Sequence, residues 1–150
     1  MIKWIAEINW KHVVLSGSIY TVIATVIHQL EAFASMRYYT DPAYLGVWSK
    51  LMMPVAGPPP VSFFITSTVL TLVTGISLAV VYYYVRNMLP KHEMKRTFYF
   101  ADILVSLSVV FFTLPTYLMF NIPVGLLVSW FISSFIILVS ASYTFVKIIK

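Results

Sequence analysis

Two side chains with real chemical potential stand three residues apart inside an apolar run: His28 and Glu31. On a helix that spacing puts both on one face. Three chemistries suit the pair. It is a hydrogen-bonded or ionic pair, helped by Arg37. It is a proton or cation relay, since histidine titrates near neutrality and burial moves a carboxyl toward that range. Or it is half of a metal site. The His and Glu spacing is like that of carboxylate-bridged metal sites in helical bundles, which use two such pairs and further carboxylates. This chain has one pair, so a dimer would have to supply the second. Met36, Met52 and Met53 would add soft ligands for copper(I), ordinary apolar packing being the plainer role for them.

Other chemistries are excluded by what the chain lacks. There is no cysteine, hence no disulfide, thiolate metal site or iron–sulfur cluster. His28 is the one histidine within an apolar run, so a haem with two axial imidazoles would need two chains. His12 and His92 fall at the ends of such runs, and His92-Glu93 sits in a basic loop where solvent is the expected partner. No glycine-rich phosphate loop, nucleophile elbow or paired-histidine zinc motif is present. No cofactor is implied, and catalysis is the less favoured reading.

The elements that position the pair follow from composition. The chain of 150 residues is 60% apolar and only 10% charged, with a mean hydropathy of +0.88. Soluble domains are roughly 45–50% apolar and about 25% charged. Lipid is therefore the expected solvent and partner. The net charge of +5 lies between and outside the apolar runs, which suits lipid headgroups and topology rather than nucleic acid.

A membrane-spanning helix needs about 20 apolar residues. Four segments of a single domain qualify, at about residues 13–33, 61–85, 98–120 and 124–146. Pro58, Pro59 and Pro60 precede the second, with Pro60 suited to a first helical position. Pro90 follows its end, and Asn121-Ile122-Pro123 makes a tight hairpin of the last two. Pro115 removes a backbone hydrogen bond and should kink the third near Phe111 or Phe112. The expected fold is all-α, an antiparallel bundle of four transmembrane helices.

Basic residues orient it. Lys3, Lys11, Arg86, Lys91, Lys95, Arg96, Lys147 and Lys150 fall on one side, and Arg37 and Lys50 on the other. By the positive-inside rule both termini are cytoplasmic. Trp4, Trp10 and Tyr82 to Tyr84 then sit in the inner aromatic belt. Tyr38, Tyr39, Tyr44 and Trp48 sit near the outer one. A signal peptide cut after Ala32-Phe33-Ala34 is the rival for the first segment. The length of the run, with His28, Gln29 and Glu31 just before the cut, speaks against it.

Helix direction then sets what shares the depth of His28 and Glu31. The outer-leaflet polar cluster is expected to gather Thr66, Ser67, Thr116, Asn121 and Ser129 around them. Asp102 falls near the inner end of the third span, where Arg86 or Lys147 is its expected partner. Along the first span, Gly17, Thr21, Ala24, His28, Glu31 and Ser35 repeat at spacings of four and three, one narrow stripe. Ser67, Thr71, Thr74 and Gly75 form another, as do Gly125, Ser129, Ser133 and Ser140. Small residues let backbones approach, and hydroxyls can bond across the contact. The alternative, a polar pore, lacks a ring of charges. The outer loop, 36–60, is expected to cap this end, with an interfacial helix over 43–53 dipping Tyr44, Trp48 and Leu51 inward.

The second half carries further marks. They are a tyrosine-rich apolar run ending in Val85-Arg86-Asn87-Met88-Leu89-Pro90, then Leu114-Pro115-Thr116-Tyr117-Leu118, then Ile122-Pro123-Val124-Gly125-Leu126-Leu127 with Ser129-Trp130. Over residues 61–147 the chain resembles a loose group of uncharacterised small four-helix integral membrane proteins of prokaryotes. The resemblance implies that fold and a prokaryotic cell membrane, and assigns no activity to any residue.

The function expected from these features is that of a non-catalytic accessory or structural subunit. It would join other membrane subunits, or copies of itself, through the small-residue faces. A homo-oligomeric transporter or proton- or cation-coupled carrier using His28 and Glu31 is the second expectation. A metal-dependent membrane enzyme built on the same pair is the third.

Overall fold

The computed structural model describes residues 8–55 and 57–149. Lys3, Trp4 and Lys150, used above for orientation, lie outside them. Among the described residues every regular element is helical. Four helices are long and apolar enough to cross a membrane, consistent with a small integral membrane protein of several passes. They are α1 (Trp10–Ala34), α2 (Val61–Val85), α3 (Glu93–Met119) and α4 (Val124–Ile148).

Local chemistry explains the ends. Asn9 caps α1, its side-chain oxygen accepting from the His12 amide at 3.4 Å. Pro60 is the N-cap of α2 in extended conformation, one position earlier than expected, so the helix begins at Val61. A short 3₁₀ turn, Arg86–Met88, follows α2. The Arg86 guanidinium folds back over the Tyr83 ring at 3.7 Å and donates to the Tyr83 carbonyl. Arg96 donates to the Pro90 carbonyl at 2.9 Å, which ties the loop to the start of α3.

Helix α3 is not uniform. A π-helical turn, Val109–Thr113, interrupts it, with the Leu114 amide donating to the Val109 carbonyl five residues back. Pro115 supplies the reason: it has no N–H for the Phe111 carbonyl, and its ring crowds the preceding turn.

The loop between α1 and α2 departs from the expected interfacial helix. It forms a 3₁₀ helix, Pro42–Val47, capped by Asp41 through the Ala43 amide. Trp48 is then extended, so Trp48 turns inward while Leu51 stays exposed.

Helix α1 packs closely on α2 and on α4, and α4 on α3. The α1–α2 contact is set by two glycines. A β-carbon on Gly17 would fall 2.7 Å from Ile76 Cγ1 and 2.8 Å from the Ile76 backbone nitrogen. One on Gly75 would fall 2.5 Å from Tyr20 Cδ1 and 2.7 Å from the Gly17 carbonyl oxygen. Backbones this close leave room for hydrogen only.

The core gathers at one end. Tyr82 of α2, Phe100 of α3 and Phe145 of α4 are fully buried against one another, with ring centroids 5.1, 6.2 and 6.3 Å apart. Val13, Ala79, Ala141 and Val146 extend this aromatic end. Beside it stands an ion pair. Lys147 pairs with Glu93, not with Asp102, and Arg86 is engaged by Tyr83. The buried face of α3 carries Thr97, Phe100, Ala101 and Leu104. Asp102 is exposed and lies about half a turn away from that face.

A buried carboxylate in a membrane cavity

At the other end the helices do not close. Phe64, Ser67 and Thr71 of α2 and Phe112 and Thr116 of α3 line a cavity of about 800 Å³. Residues of α1 and α4 complete the lining, with Trp48 and Pro59 of the loop between α1 and α2. Pockets of roughly 300–1,000 Å³ hold small molecules, with an apolar lining and a few placed polar groups.

Glu31 is the principal polar group. It lies on the packed stripe of α1 and is only 8% exposed. Its Oε1 accepts from the Ser129 hydroxyl at 2.9 Å, and its Oε2 accepts from the Tyr39 hydroxyl at 3.0 Å. Each donor is itself supported. Ser35 donates to the Ser129 oxygen at 2.9 Å, and the Trp130 indole N–H donates to the Tyr39 oxygen at 2.6 Å. Two chains of donors therefore converge on one carboxylate. Burial pushes the Tyr39 phenol well above the usual tyrosine range, so it stays a neutral donor.

The local reasons are in the sequence. Helix α1 breaks at Ser35 and resumes over Met36–Tyr39, which swings Tyr39 back toward Glu31. Gly125 opens α4 with no side chain, and the Tyr38 hydroxyl sits over it, where a β-carbon would clash. Ser129 and Trp130, one turn further on, then face Glu31 and Tyr39. Trp48 packs on Tyr39 at 5.0 Å and on Trp130 at 6.2 Å, and Phe112 lies 6.3 Å from Trp130. The Trp48 indole N–H is buried with no acceptor among the described residues.

The expected stripe of α1 is buried at Gly17, Thr21, Ala24, Glu31 and Ser35, and exposed at His28. His28 lines the cavity, and no ion pair or hydrogen bond joins it to Glu31 among the described residues. Arg37 is not at Glu31 either. It donates to the Tyr38 hydroxyl at 2.7 Å and stacks on that ring at 4.6 Å. Of the polar cluster expected around the pair, Ser129 bonds to Glu31, and Ser67 and Thr116 line the cavity. Thr66 and Asn121 are exposed and lie outside its lining. Among the described residues no third His, Asp or Glu joins the pair to make a metal-binding group.

The hydroxyl stripes behave differently from the expectation of bonds across helices. Thr21, Thr71 and Thr74 donate to carbonyls four residues back on their own helices. Ser67 donates to the Phe64 carbonyl. Such back-bonding satisfies a hydroxyl inside lipid without a partner helix. Ser35 and Ser129 do bond across, and they do so at Glu31.

Tyr39, Trp48 and Trp130 were not among the expected site residues. Ser35 stood on the stripe, and Trp130 adjoins Ser129, but nothing in the spacing places Tyr39 beside Glu31 once the helix breaks. Comparison with known protein families, with curated proteins and with solved structures finds no match.

Proposed function

We propose that the chain is a non-catalytic, membrane-embedded binding protein of the carrier class. Its cavity takes up an amphipathic small molecule from the lipid phase. The observation that carries this reading is a cavity of about 800 Å³ holding one buried carboxylate and framed by four helices. An ionisable group at such depth is costly and is usually functional. Two donor chains anchor Glu31 without consuming its full capacity, since an ionised carboxylate has about four acceptor sites.

The same proposal includes an antiparallel arrangement with both termini in the cytoplasm. The asymmetry of basic residues supports it, as does the clustering of Tyr82, Phe100 and Phe145 near the close of α2, the start of α3 and the close of α4. The cavity then belongs to the outer half of the bilayer, below the loop that carries Trp48.

The test uses the whole protein in lipid nanodiscs and a brominated decanol as a neutral probe. Trp48 and Trp130 line the cavity, so bound bromine quenches them at contact range. Quenching should saturate, and Ser67→Phe should weaken the saturable part by taking up part of the cavity. Quenching that rises only in proportion to lipid partitioning would sink the reading.

One observation favours a second reading, that of a subunit in a larger assembly. Asp102 lies within α3, is exposed on its outward face, and has no ion-pair partner among the described residues. A basic residue of another membrane chain would relieve that cost. Native mass measurement after gentle extraction tests it. A heteromer that dissociates with Asp102→Asn supports a subunit role, and a monomer or homo-oligomer indifferent to the change removes it.

A further inference from the structure

Building on the cavity reading, we infer that its ligand is an amphipathic monovalent cation: a protonated or quaternary amine carried on an apolar body. Two independent features of the cavity select that charge.

The first is the setting of Glu31. Its two oxygens meet the hydroxyls of Ser129 and Tyr39, which are themselves joined to Ser35 and Trp130. Among the described residues no cation of the protein stands beside this carboxyl. Arg37 is turned onto Tyr38, and no lysine or arginine lines the cavity. A buried carboxylate of this kind repels an anion and leaves a neutral ligand beside an uncompensated charge.

The second is the aromatic surround. Tyr39, Trp48 and Trp130 pack together next to the carboxylate, with Phe112 beyond them. Aromatic faces attract an organic cation through the ring quadrupole, most strongly where water is excluded. Phe63, Phe64 and Phe120 line the remainder and suit the apolar body.

On its own helix Glu31 shares the cavity with His28, and the segment after α1 adds Tyr39. The helices α2, α3 and α4 contribute hydroxyls, Ser67, Thr116 and Ser133 among them, and no charged side chain.

The experiment compares three probes of equal chain length on the full protein in nanodiscs, against empty nanodiscs: decyltrimethylammonium, decanol and decyl sulfate. The expected order is cation tightest and sulfate without saturable binding. Glu31→Gln should weaken the cation about 10- to 100-fold, the range for losing a charge-assisted contact. It should weaken decanol far less, and the saturable decanol binding that remains also shows that the variant is folded. Equal binding of cation and decanol, indifferent to Glu31→Gln, overturns the cation inference while the cavity reading stands. Saturable binding of none of the three overturns both.

Discussion

The two ends of this bundle are built on opposite principles. At the aromatic end, Tyr82, Phe100 and Phe145 fill the space between three helices and are themselves fully buried. At the carboxylate end, helices of the same length and composition stand apart around about 800 Å³ of space. Both ends use aromatic rings, but differently. In the first the rings face each other as a core. In the second Tyr39, Trp48 and Trp130 line a wall and hold a polar network. A four-helix protein of this size has material for one sealed core, and sealing one end lets the other remain open. The comparison teaches that stability and binding are divided along the helix axes.

Substitutions should separate the two roles. The largest loss of stability is expected from Phe145→Ala, about 3–5 kcal/mol on the scale for emptying a packed aromatic site. Thermal unfolding in a fixed detergent measures it, and ligand contacts at the far end should be intact below the melting point. Gly17→Ala comes next, about 1–3 kcal/mol, because the added carbon meets the Ile76 backbone rather than a movable side-chain tip. A loss near zero there would mean that α1 and α2 separate easily and that the bundle is looser than its glycine contact implies.

At the open end the effects on stability should be smaller. Ser129→Ala removes one donor to Glu31 and cuts the Ser35 chain, at about 1 kcal/mol, by the usual worth of a buried hydrogen bond. The same variant should alter probe binding more than it alters the melting temperature. If the reverse holds, the Glu31 network belongs to the scaffold and the division between the ends is wrong. Smallest of all is Lys147→Met. Its pair with Glu93 is about half exposed on both sides, and exposed pairs are worth about 0–1 kcal/mol. A larger loss would show that the ion pair, and not the aromatic cluster alone, holds the sealed end together.

Much of this was written in the order of residues. The apolar runs determined four helices, because in lipid a backbone can satisfy its own polar groups only by coiling. The bounds of α2 and the starts of α2 and α4 follow from Pro60 and Pro123, which cannot continue an earlier helix. Pro115 located the distortion of α3 to within a few residues, since one missing N–H must disturb the turn before it. The stripe from Gly17 to Ser35 identified the packed face of α1, because helical periodicity is a local property. It also singled out Glu31.

What surrounds Glu31 was decided by tertiary structure. Whether a stripe residue is sealed or open depends on how the neighbouring helices stand at that level, and His28 is exposed along the cavity. Tyr39 reaches Glu31 only because the chain bends at Ser35, and Trp48 joins them only because the loop becomes extended after Val47. Lys147 finds Glu93 rather than Asp102 because rotation of α3 about its axis turns Asp102 outward. Spacing along one helix sets which residues share a face. The distance and rotation between helices set what that face meets, and those come from the summed packing of the whole bundle.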